Sequence, residues 1–216
     1  MNKKLLFRLL GLTFLLLVGF KIVQFFLPEN WTSLLLPALL LYVPFIYLSI
    51  QKRQIDFLDH SWKQFTGGLL AFTVAVLVVF PPYFVFAHTW MLHIFYFQGF
   101  QPASWTAFTN HLGFQFLAVA IPEEFYFRGF LQGELNSIWT KKWRILGADL
   151  GWSWIVTAIV FAFAHSLIQL QWWHFSIFFP ALLFGYLKER TGSITAPILF
   201  HVFSNCFMDW FSRSYF

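Results

Sequence analysis

The chain has 216 residues, of which 59% are hydrophobic, 23% aromatic and only 11% charged. A soluble domain carries about 25% charged residues, so this composition excludes one and indicates a polytopic membrane protein. The net charge of +5 needs no nucleic-acid partner, because basic loops that set membrane orientation account for it, and the single cysteine, Cys206, excludes an internal disulfide.

In chain order, Lys3, Lys4 and Arg8 precede an apolar run that resembles a signal peptide. No small-x-small cleavage site follows, so the run reads as a retained first span over about 5–27. Lys21 lies near its outer end and is expected to snorkel to the interface. A second span covers about 31–50, with Pro37 and Pro44 inside it. The polar stretch 51–65 reads as a cytoplasmic loop, and a third span follows over about 67–87. Residues 88–110 contain no Lys or Arg but many aromatics, which fits an external segment lying partly in the interface.

A fourth span, about 112–135, contains Ile121-Pro122-Glu123-Glu124-Phe125-Tyr126-Phe127-Arg128-Gly129. Residues 136–150 read as a second cytoplasmic loop. A fifth span covers about 151–168 and a sixth ends near Leu187. A charged turn over 188–193 leads to a seventh span at about 194–212. Lys3, Lys4, Arg8, Lys52, Arg53, Lys63, Lys141, Lys142, Arg144, Lys188 and Arg190 then lie inside. That is eleven of the fourteen basic residues, as the positive-inside rule asks. The expected fold is therefore an all-α bundle of about seven transmembrane helices, N-terminus in and C-terminus out. It divides into N-terminal spans with their external loop (1–110) and a C-terminal transmembrane core (111–216).

Each charge buried in a membrane costs about 2.5–3.5 kcal/mol on insertion scales, so Glu123, Glu124 and Arg128 need partners. Glu124 and Arg128 are one helical turn apart and can pair, whereas Glu123 is rotated about 100° away and stays free. Pro122 cannot donate its backbone hydrogen bond, which frees the Ala118 carbonyl and favours a kink. At about 1.5 Å per residue, Glu123 and His201 fall near mid-membrane and His165 somewhat further out. Phe161 and His165, and likewise His201 and Asn205, are also one turn apart.

Two glutamates, two histidines and an asparagine suit amide hydrolysis. A carboxylate takes a proton from water, a histidine positions the water or protonates the leaving amine, and an amide donates to an oxyanion. Alternatively, Glu123, His165 and His201 hold a zinc ion that activates the water. No HExxH helix occurs, and no Gly-x-Ser-x-Gly supports Ser166 or Ser204 as a nucleophile. Midplane carboxylates and histidines also serve proton relays, so a proton-coupled transporter is a second reading, although no internal repeat is visible.

The ordered motifs Glu123-Glu124-x-x-x-Arg128, Phe161-x-x-x-His165 and His201-x-x-x-Asn205 resemble those of the CPBP intramembrane proteases. This family includes CAAX prenyl endopeptidases and bacteriocin-processing or immunity-associated proteins, and the resemblance covers about 112–210. It implies that Glu123 is the general base, that Glu124 and Arg128 support it, and that His165, His201 and Asn205 complete the site. The family has been described as metal-dependent and as glutamate-dependent; the arginine and asparagine favour the glutamate mechanism without a cofactor, with Zn2+ as the alternative. Residues 178–192 are similar to the family's glycine-patterned helix, with Gly185 and Gly192 in place and Ala181 where a further glycine is common. The implied partner is a membrane-anchored protein or peptide, recognised through a C-terminal tag, in a prokaryotic inner membrane. A silent immunity or scaffold member is a third reading.

Overall fold

The computed structural model describes residues 2–216. Helix α1 spans Lys3–Gln24, α2 Glu29–Ile50 and α3 Trp62–His93, followed by a short α4 at Trp105–Thr109. Helix α5 is a continuous run over 112–138. The strands β1 (Lys142–Ile145) and β2 (Ala148–Gly151) precede α6 (Trp152–Gln169). A 3-10 turn (Trp172–Ile177) leads to α7 (Phe178–Thr191) and then α8 (Thr195–Ser212). The local signals are ordinary ones. Asn2 accepts from the Leu5 amide to cap α1, and Ser61 accepts from the Gln64 amide to cap α3. Leu170 and Gly192 end α6 and α7 in the left-handed conformation.

α1, α2, α3 and α6 are long and apolar enough to cross a membrane. Helix α7 has only 14 residues, and α5 and α8 carry the polar side chains of the centre. Large apolar side chains such as Phe7, Leu15, Leu70 and Leu77 face outward, as an integral membrane protein requires. The main core joins Leu9 and Leu17 of α1 and Leu40 of α2 to Tyr126, Phe130, Phe161, Phe184 and Phe200.

The segments expected on one side of the membrane meet each other. Arg53 lies 2.7 Å from Glu134 at the end of α5, and Gln64 donates to the Gly192 carbonyl at 3.3 Å. Tyr186 donates to the Leu146 carbonyl at 2.9 Å. At the other end, the amides of Gln98 and Gln101 donate to the carbonyls of Phe216 and Ser214, and His88 Nδ1 lies 2.6 Å from the Tyr215 hydroxyl.

Three local expectations change. α3 runs for 32 residues, continuing through Pro81 and Pro82 to His93, so the segment expected as external loop begins as helix. The segment 136–150 contains an antiparallel hairpin, so the fold is not wholly α. Its turn places Leu146 and Gly147 at φ 45° and 83°, and a leucine gives no sequence signal for such a turn. Lys21 does not reach free into the interface: its Nζ donates to the Ile168 carbonyl at 2.6 Å and to Gln24 Oε1 at 3.0 Å.

Candidate active site

Helix α5 is irregular where the charges sit. Two π-helical stretches, Gln115–Ala120 and Phe125–Gln132, flank a single α turn at Ile121–Glu124. Pro122 explains part of this, since it has no N–H for the Ala118 carbonyl and begins a new turn instead. Such wide turns are rare and concentrate at functional sites.

Glu124 and Arg128 are both fully buried (0% exposed) and pair as expected, with Arg128 Nη1 donating to Glu124 Oε1 at 3.2 Å. The guanidinium also donates through Nη2 to the Ala181 carbonyl at 3.3 Å, and lies 4.0 Å from the Phe161 ring centroid and 5.0 Å from that of Phe184. The same two rings orient the imidazoles. Phe161 lies 4.4 Å from His165, and Phe184 stacks on His201 at 4.8 Å.

Each imidazole has one nitrogen committed. His201 Nδ1 lies 2.8 Å from Glu124 Oε1, and His165 Nδ1 lies 3.0 Å from the Phe161 carbonyl. Both partners are acceptors, so in the neutral rings Nδ1 carries the proton and Nε2 offers a lone pair. Both Nε2 atoms point at one oxygen: Glu123 Oε2 is 3.7 Å from that of His165 and 3.8 Å from that of His201. That oxygen is buried and accepts no hydrogen bond. With the rings neutral, three acceptors converge on a spot where Glu123 Oε2 finds no donor among the described residues. Such a spot suits a water molecule, which can lie about 2.8 Å from both atoms of a pair 3.7 Å apart.

The donor types also match a zinc ligand set. Zinc bonds of about 2.0–2.2 Å in tetrahedral geometry bring ligand atoms to about 3.4 Å of one another, closer than the separations here. Among the described residues no group of three or more His, Cys, Asp or Glu side chains is placed to hold a metal ion.

Asn205 stands apart from this cluster. Its Nδ2 donates to Gln115 Oε1 at 2.8 Å, and among the described residues its side chain makes no hydrogen bond to Glu123, Glu124 or either histidine. Gln115 is a partner that sequence reasoning missed; the only signal was a lone amide in an apolar helix, two turns before Glu123. Gln132 was missed too, although it continues the four-residue spacing of Glu124 and Arg128. On α5 the ladder Glu124, Arg128, Gln132 and Asn136 faces Ala181, Gly185 and Glu189 on α7. Gln132 Nε2 donates to the Gly185 carbonyl at 3.1 Å and to Glu189 Oε1 at 2.8 Å, and Asn136 donates to the same oxygen at 2.7 Å. Lys142 and Ser153 hold Asn136 in turn. At this end of the ladder, burial pushes the Glu189 carboxyl up. Lys188 and the hydrogen bonds from Gln132 and Asn136 outweigh it and hold the carboxyl below its usual range.

The close approach of α5 and α7 depends on Gly185. A Cβ there would lie 2.7 Å from Gln132 Oε1 and 2.7 Å from Trp154 Cδ1, and Trp154 is itself fixed by donating to the Leu182 carbonyl at 2.6 Å. Gly185→Ala is therefore expected to destabilise the protein by about 1–3 kcal/mol, the usual cost of overpacking. Thermal unfolding in detergent measures this, and an unchanged midpoint would show that the ladder has slack.

In comparison with known proteins, no curated protein and no solved structure matches the chain. Residues 105–207 match the family model described as Rce1-like, type II CAAX prenyl endopeptidase. That segment contains all seven residues of the three motifs, so the resemblance to the CPBP proteases is borne out over these residues.

Proposed function

We propose that the protein is an intramembrane endopeptidase that hydrolyses a peptide bond of a membrane-anchored protein or peptide, with Glu123 as general base. The observation that carries this reading is the convergence of the two imidazole Nε2 atoms on the buried, unpartnered Glu123 Oε2. A water held there gives its proton to Glu123 as its oxygen attacks the scissile carbonyl. In this reading Asn205, held by its bond to Gln115, turns its second amide hydrogen to the oxyanion once substrate fills the space between it and Glu123. As the C–N bond breaks, Glu123 passes its proton to the departing nitrogen, leaving a carboxylic acid and an amine and restoring the Glu123 carboxylate. Glu124 holds His201 by Nδ1, and Arg128 holds Glu124.

The matched family's description names CAAX prenyl endopeptidases, which supports a lipid-anchored or membrane-spanning peptide as the substrate class. The basic end of the bundle would face the cytoplasm of a prokaryotic inner membrane. The test is cleavage of membrane-anchored peptides by the protein in proteoliposomes, before and after treatment with a strong chelator. The glutamate mechanism predicts a rate within about twofold of the untreated protein, since Glu123 itself takes the proton from water. Loss of cleavage that added zinc restores would overturn the glutamate mechanism.

A further inference from the structure

A partly open cavity of about 200 Å³ lies away from the catalytic groups, between the end of α2, the loop that follows it, and the ends of α5 and α7. Glu134 in its wall is eleven residues past Glu123, about three turns further along α5. We propose that this cavity binds a phosphate ester that carries a primary ammonium, the headgroup chemistry of phosphatidylethanolamine. The inference is independent of the peptidase reading, because none of the seven motif residues lines the cavity.

The charges on the wall are mixed and only partly used. Arg53 gives Nη1 to both oxygens of the buried Glu134 carboxylate, at 2.7 and 2.9 Å. Among the described residues its Nη2 and Nε donate to nothing. Lys188 donates to Glu189 Oε1 at 3.1 Å, which leaves two of its three ammonium hydrogens. Asp56 is exposed, and its carboxylate accepts no hydrogen bond among the described residues; only its backbone carbonyl has a neighbour, His60 Nε2 at 3.4 Å. Two cations and two carboxylates thus line the cavity, so a bare anion or cation gains little there. A ligand with both charges gains from each. Its phosphate oxygens accept from Arg53 and Lys188, and its ammonium donates to Asp56.

Helix α5 supplies a floor without side chains. A Cβ at Gly133 would meet no atom within 4 Å beyond its own helix, so the space above it is open. One turn earlier the Phe57 ring covers Gly129, whose Cβ would come within 2.4 Å of it, and closes that end. Leu48 and Phe130 supply apolar wall. Ile50 and Leu58, close in the chain to the lining residues Leu48 and Phe57, are exposed. Charged groups beside exposed apolar side chains at the end of a span match a lipid at the level of its headgroup.

The test uses the full chain, purified in detergent and stripped of lipid. It is titrated with short-chain phosphatidylethanolamine, phosphatidylcholine or phosphatidylglycerol, or with free glycerophosphoethanolamine. The unfolding midpoint reads binding, because a ligand of the native state stabilises it. Phosphatidylethanolamine is expected to raise the midpoint saturably and to bind at least about tenfold more tightly than the other two lipids, the worth of one hydrogen bond to a charged group. Phosphatidylcholine keeps the positive charge but has no N–H for Asp56, and phosphatidylglycerol has no cation. Two variants leave the fold in place. Gly133→Leu fills the open space with a better helix former, and Asp56→Lys repels the ammonium from an exposed position. Each should weaken phosphatidylethanolamine at least about tenfold, and Asp56→Lys should bind phosphatidylglycerol no more weakly than wild type does. Glycerophosphoethanolamine that matches the lipid in affinity makes a soluble phosphate ester the ligand, and one that binds far more weakly makes it the bilayer lipid; both outcomes support the site. No saturable shift with any probe overturns it, as does equal binding of the three lipids or a shift that neither variant changes.

Discussion

Glu123→Gln is expected to reduce cleavage by about 10²–10⁴-fold, the usual contribution of a positioned general base, while leaving the fold intact. The side chain keeps its shape, but the amide cannot accept the proton from water. The effect on stability should be small and of either sign. In the wild-type protein Glu123 Oε2 accepts no hydrogen bond from the described residues and lies 3.7 and 3.8 Å from the two imidazole Nε2 atoms, so no native bond among them is lost. Glu124→Gln makes the contrast, because Glu124 Oε1 accepts from Arg128 and pairs with His201 Nδ1. Glu124→Gln is therefore expected to lower both stability and activity. Measuring kcat/KM beside the unfolding midpoint for both variants separates the roles. A Glu123→Gln protein that keeps more than about a tenth of wild-type activity would sink the assignment of the base.

The sequence made the contents of each helix face legible, because helical spacing is a local property. Glu124 with Arg128 and Phe161 with His165 were both readable as pairs one turn apart, and both make contact. The rise per residue set Glu123, His165 and His201 close enough in level to meet, and the three do converge. What spacing does not encode is which face meets which. His201 and Asn205 share a face, yet one side chain joins Glu124 and the other joins Gln115. The bonds from Lys21 to Ile168 and from Tyr126 to Thr13 link residues more than a hundred positions apart. So nothing in the first helix advertised its contact with the centre. The π-helical turns of α5 were also hidden, since Pro122 signals a broken hydrogen bond but not how the chain re-forms the ladder around it.

The largest loss of stability is expected from Arg128→Met. Arg128 and Glu124 have no exposed surface, and the charge has been moved out of solvent at a cost that only its partners offset. Those partners are the Glu124 carboxylate, the Ala181 carbonyl and the faces of Phe161 and Phe184. Methionine fills much of the same volume and keeps the aromatic contacts, so the loss is chiefly electrostatic. Glu124 is then left buried with His201 as its one remaining partner. Breaking a buried pair in this way costs about 3–5 kcal/mol. Arg128→Lys would not restore it, because one ammonium cannot reproduce the planar fork that spans Glu124 and Ala181 while lying flat on two rings. Removing both charges separates the explanations. If the uncompensated carboxylate is the cause, the double variant Glu124→Gln with Arg128→Met recovers a large part of the stability that Arg128→Met loses. Activity does not return with it, because His201 no longer has a charged anchor at Nδ1. Denaturation in detergent of the wild type, the two single variants and the double variant gives the coupling between the sites. A coupling below about 0.5 kcal/mol would mean that Arg128 holds α5 to α7 through its packing and its bond to Ala181 rather than through Glu124.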